Sequence, residues 1–149
     1  FFAGADYTPR SSVTTLANAM DVGAPSNFER LRWLYPDEDR LRHEFRAFAV
    51  DDDTIRATIR ERYARHGEVF CPHTATAVYV LEALRAKGQD GDWAVAATAH
   101  PAKFESIVEP LIRHGLAVPS ALAELLARES RSEPLAADYA ALRRRLLAD

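Results

Sequence analysis

The chain has 149 residues, 48% hydrophobic and 28% charged, with a formal net charge of -3. This length fits one domain or a piece of a larger protein, and the composition fits a globular core rather than a disordered tail or a fibrous repeat. Arginines and acids are balanced between Glu29 and Arg65, and no uncharged stretch approaches the roughly 20 residues of a bilayer span, so neither nucleic acid nor membrane is expected as a partner.

The opening, Phe1-Phe2-Ala3-Gly4, puts two large apolar side chains at the very start, and the only methionine is the internal Met20. Such a start predicts a cut end, with part of a parent chain upstream. A turn-rich stretch follows, then a short helical pattern from Val13 to Met20, broken by Gly23 and Pro25. From Pro25 a helix is predicted with Phe28, Leu31 and Leu34 on one face, capped by Ser26 or Asn27 and stopped by Pro36. A second runs from Asp37 to about Phe48, with Asp37 and Asp39 near its positive end. Asp51-Asp52-Asp53 precedes Ile55, Ile59 and Tyr63 at a spacing of four. This pattern reads as an N-cap opening a third helix that ends at His66-Gly67.

Val69-Phe70 is predicted as a short strand, and Pro72 opens a helix bearing Ala77, Val80, Leu81 and Leu84 on one face, up to Gly88. Trp93 to Thr98, between a Gly-Asp turn and a His-Pro stop, is the best strand pattern and reads as buried on both faces. A helix from Pro101 carries Phe104, Ile107, Val108, Leu111 and Ile112, the strongest helical periodicity of the chain. Shorter helices over 120–127 and 136–147 finish it. Helices dominate, and one or two strands form no sheet alone, so their sheet is expected to be completed elsewhere.

Few residues suggest chemistry by spacing. The five histidines form no HxxxH or HxxH pair, Cys71-Pro72-His73 is too small for a tetrahedral site, and no metal is expected. Cys71, the only cysteine, excludes an intrachain disulfide, and with no secretory n- and h-region the expected location is the cytoplasm. Hydrolase, P-loop and dinucleotide motifs are absent. There remains Thr98-Ala99-His100-Pro101, which joins the C-terminal end of the predicted strand to a helix, the place where open α/β sheets bind ligands. Spacing alone favours the simpler reading, with Thr98 as the cap of that helix and His100 hydrogen-bonded in the core.

The segment Thr15-Leu16-Ala17-Asn18-Ala19-Met20-Asp21-Val22-Gly23-Ala24-Pro25-Ser26-Asn27-Phe28-Glu29-Arg30-Leu31 resembles the signature block of threonine synthases. Thr98-Ala99-His100-Pro101-Ala102-Lys103-Phe104 resembles a second block and Pro72-His73-Thr74-Ala75 a third, in the family's order. Tyr7–Val13 and Leu135–Asp138 also fit, so the resemblance covers nearly the whole chain. It implies an α/β enzyme of the tryptophan-synthase-β-like fold (fold type II), of which this chain is a mostly helical C-terminal portion with one or two sheet strands. It further implies pyridoxal 5'-phosphate (PLP) as cofactor, and conversion of O-phospho-L-homoserine and water to L-threonine and phosphate.

The family's Schiff-base lysine motif and its cofactor-phosphate loop lie upstream of the matching region. Lys87 and Lys103, the only lysines, match neither, so no catalytic residue is expected here and the missing N-terminal part is an expected partner. The matched positions imply Thr98 as partner of the cofactor's pyridine nitrogen. Arg10, Ser12, Thr14, Thr15, Asn18, Ser26 and Asn27 are suited to a carboxylate or phosphate ester, with Asp21, His100 and Lys103 in support. For any one of the first block, a bland role bracing helices around Gly23 competes. Two other functions fit the resemblance: a related phospho-lyase releasing a keto acid, and a non-catalytic module that keeps the scaffold and binds a partner.

Overall fold

The computed structural model describes residues 1–148, in two units, the first Phe1–Ala117 and the second from Val118 onward. In the first, helices α1 (Phe28–Leu34), α2 (Glu38–Glu44), α3 (Asp52–His66), α4 (Pro72–Arg85) and α5 (Glu105–Ile112) are joined by turns and irregular segments. The second holds α6 (Ser120–Leu126) and α7 (Tyr139–Leu147), neither with a buried residue.

The core forms where α3 packs on α4 and α5. Ile55 and Ile59, one turn apart on α3, meet Ala75 of α4, Val108 and Ile112 of α5, and Ala17 from the N-terminal block. Each of the large aliphatic side chains buried there stabilises the fold by about 1.5–3 kcal/mol. The start of α3 follows from its acids: Asp51 caps by accepting from Thr54 N, and Asp52 and Asp53 lie in the first turn against the positive end of the dipole. Gly67 ends the helix at φ 69°, a left-handed cap that glycine adopts without penalty. Asp37 caps α2 in the same way, accepting from Asp39 N and Arg40 N. At α1, Asn27 occupies the cap position but its side chain makes no capping bond. The N-terminal aromatics pack here, with Phe1 and Tyr7 against Phe28 at ring-centroid distances of 5.0 and 4.3 Å.

Three expectations are corrected. The described residues contain no strand, so neither Val69-Phe70 nor Trp93–Thr98 is one. A strand exists only by pairing, and these segments have β-favouring side chains without a partner to bond. For the same reason the segment is not buried on both faces: Trp93 is 45% exposed, and Ala96, Ala97 and Thr98 are exposed too. Finally, the helical pattern from Val13 reduces to one 3-10 turn, Asn18–Met20, because Thr15 and Ser12 turn their hydroxyls to the local backbone and to Asp21 instead of continuing a helix.

Candidate functional site

The N-terminal block is a braced loop. Gly23 N donates to Ser12 Oγ at 3.1 Å and Arg10 N to Gly23 O at 3.1 Å, closing residues 10–23 on themselves. Inside the loop Asp21 accepts from both the amide and the hydroxyl of Thr15, each at 2.7 Å, and Thr15 Oγ1 in turn accepts from Ala17 N. Two acceptors from the helices then fix the loop to the core. Asp52 Oδ1 of α3 takes Leu16 N at 2.9 Å, and His73 Nε2 of α4 takes Ala19 N at 3.1 Å.

This loop forms one wall of a cleft of about 910 Å³. Facing it are Ala77, Val80, Leu81 and Leu84 of α4, His43 and Glu44 at the end of α2 with Arg46 and Phe48 to Val50 beyond it, and the segment Trp93 to Ala96. The apolar stripe read on α4 therefore lines the cleft for the most part, while Ala75 and Val78 on another face are buried. The mix suits a small polar ligand with an apolar body: aliphatic and aromatic walls, with Arg10 and Arg46 bringing charge to them.

Of the residues expected at a site, Arg10, Ser12, Thr15 and Asp21 are brought together on the cleft. Ser12 and Thr15 already spend their hydroxyls on the loop itself. Thr14, Asn18, Ser26 and Asn27 are exposed and outside the lining. Thr98 is exposed at the end of the segment that lines the cleft, two residues beyond Ala96. The cap of the following turn is His100, whose Nδ1 accepts from Ala102 N at 3.1 Å. Thr98 is thus not the capping residue, and His100 is exposed, not held in the core. Lys103 lies exposed in the 3-10 turn Pro101–Phe104 that leads into α5.

Arg46 and His43 on the cleft were not singled out by sequence reading. Arg46 lies just past α2, tied to Gln89 Oε1 at 3.1 Å across 43 residues of chain. No local spacing carries that contact. The sequence pattern also runs the second helix on to about Phe48, whereas α2 ends at Glu44 and leaves Arg46 in the segment beyond it.

Comparison with known proteins fits this geometry. Residues 74–145 match a family model described as "Threonine synthase, C-terminal". Threonine synthases of Escherichia coli and Serratia marcescens are each 36% identical to the chain over 99% of its length, which is 34% of theirs. Among solved structures, threonine synthase from Escherichia coli superposes with a TM-score of 0.75 at 36% identity, over 99% of this chain and 34% of that one. The PLP-bound threonine synthase from Brucella melitensis gives 0.60 at 26% identity, over 86% and 32%. The chain spans about a third of the length of the curated relatives it matches.

Proposed function

The chain belongs to the threonine synthase family, and on that premise we propose that it is the C-terminal portion of an enzyme converting O-phospho-L-homoserine and water to L-threonine and phosphate. The observation that carries this reading is the cleft, whose wall is the loop of the first family block and whose extended side runs into Thr98 of the second.

PLP, when bound, supplies an electron sink that lets protons leave the α and β carbons and the γ-phosphate depart. The residues of this chain fit one side of that group. Thr98 is exposed and released from capping duty by His100, so its hydroxyl is free to donate a neutral hydrogen bond to the pyridine nitrogen. A hydroxyl there leaves the nitrogen largely unprotonated, where a carboxylate would hold a proton on it. Neither Lys87 nor Lys103 lines the cleft, and both are exposed. On this reading the Schiff-base lysine and the cofactor-phosphate loop belong to an N-terminal part of the same enzyme. On the substrate side, Arg10 is the charge suited to a carboxylate or phosphate, as a planar fork of donors. Asn18, Thr14, Ser26 and Asn27, exposed outside the lining, are the further amides and hydroxyls proposed for the substrate, and Ser12, Thr15 and Asp21 hold the loop in shape.

Thr98→Val in the full-length enzyme tests the cofactor assignment. Losing one neutral hydrogen bond of about 0.5–1.5 kcal/mol should weaken PLP affinity several-fold and shift the cofactor's absorbance. Unchanged affinity and spectrum would remove Thr98 from the site.

A further inference from the structure

The turn Asn18–Met20 is exposed and short, and its amides need a reason to hold still. Ala19 N finds one at Nε2 of His73, 54 residues along the chain, at 3.1 Å. Because that nitrogen accepts, it is the bare one of a neutral imidazole, and the proton sits on Nδ1. Nδ1 is buried and has no hydrogen-bond partner among the described residues. The ring is therefore not oriented for the benefit of its own N–H. It is 94% buried at the start of α4 and lies against Phe104 at 5.0 Å with an interplanar angle of 53°. That packing leaves it little freedom to turn away from Ala19. Nearby, Thr76 Oγ1 lies 3.8 Å from Met20 Sδ, but its single proton is already given to His73 O at 2.7 Å. The Met20 approach is thus only a packing contact, and the His73 bond is what ties the turn to α4.

We propose that His73 is a positioning residue for the substrate loop: its Nε2 sets the turn that carries Asn18 at a fixed height against α4, the helix whose later turns line the cleft. The role in turnover rests on the functional reading above, while the contact itself does not. Asp21 and Asp52 shape the preceding residues Thr15 and Leu16, so His73 acts on the part of the loop those acids leave loose.

The test uses the full-length enzyme with PLP. Ala19 is an exposed residue whose amide donates to His73 Nε2. Hydrogen exchange at that amide reads the contact directly, and steady-state kinetics with O-phospho-L-homoserine read its use. His73→Leu keeps bulk against Phe104 and removes the acceptor. It should speed Ala19 exchange and raise KM, each by roughly 2- to 12-fold, the range that one neutral hydrogen bond corresponds to, with kcat changed less than twofold. His73→Gln, whose side-chain oxygen reaches the same place, should recover both. An Ala19 amide exchanging in the wild type like an unprotected one would overturn the contact without any variant. A KM that stays put while exchange quickens, or a fall in kcat alone, would overturn the positioning role. If His73→Leu does not fold, the wild-type exchange rate and His73→Gln decide. A wild-type enzyme that forms no threonine contradicts the functional reading instead, and the exchange arm still decides the contact.

Discussion

Gly23 is the residue on which the loop closes. A Cβ there would overlap the carbonyl oxygen of Arg10 and crowd the backbone of Ser11, so the two segments would have to separate. Both of the loop's closing bonds, Arg10 N to Gly23 O and Gly23 N to Ser12 Oγ, run through this position. Gly23→Ala should therefore cost about 1–3 kcal/mol by overpacking against atoms that cannot rotate away, read as a lowered thermal midpoint. At Arg10 and Asn18 the expected effect is on substrate. Arg10→Ala and Asn18→Ala in the full-length enzyme should each raise KM for the phospho-substrate, Arg10 by more because its bond to an anion is charge-assisted. An unchanged KM in both would end their assignment. Block likeness picked out Arg10, Ser12, Thr15 and Asp21, which do meet on the cleft. It carried no information on which hydroxyls the loop consumes, since that depends on how residues 12 and 23 come together.

Among the elements, α3 tests the helix-start argument best. The backbone N–H of Thr54, and then its side chain, hold the Asp51 carboxyl below the usual aspartate range. A depressed folded value means that the cap stabilises above the ordinary value of about 4 and is lost as pH falls through the lower folded one. Asp51→Ala should thus lower the melting temperature at pH 7, with the gap closing as the pH drops below 4. A gap that does not narrow as the pH falls would contradict the capping role. This helix was legible residue by residue, from Asp51 through the Ile55 and Ile59 spacing to Gly67, because cap, dipole and apolar stripe are all local signals. Trp93–Thr98 was not. Its composition is that of a strand, but pairing depends on a neighbour that local sequence does not contain, and these residues form no regular element and, Val95 apart, are exposed. The helix from Pro101 was legible in type but not in detail. It opens as a 3-10 turn under the His100 cap and becomes α-helical only from Glu105.

At the scale of the whole molecule, the described residues contain no helix long and apolar enough to cross a membrane. Large apolar side chains nevertheless stay exposed, among them Trp33 at 81% and Trp93 at 45% in the first unit, and Leu125, Leu126 and Leu146 in the second. A chain spanning a third of its relatives' length is expected to leave such surface for the remainder of the enzyme to cover. The isolated chain with added PLP should accordingly form no threonine from O-phospho-L-homoserine, and turnover above background would contradict that. The most direct measurement is product analysis of the full-length enzyme supplied with PLP and O-phospho-L-homoserine. L-threonine and phosphate released in equal amounts is the predicted result; phosphate released with a keto acid, or no phosphate at all, would contradict it.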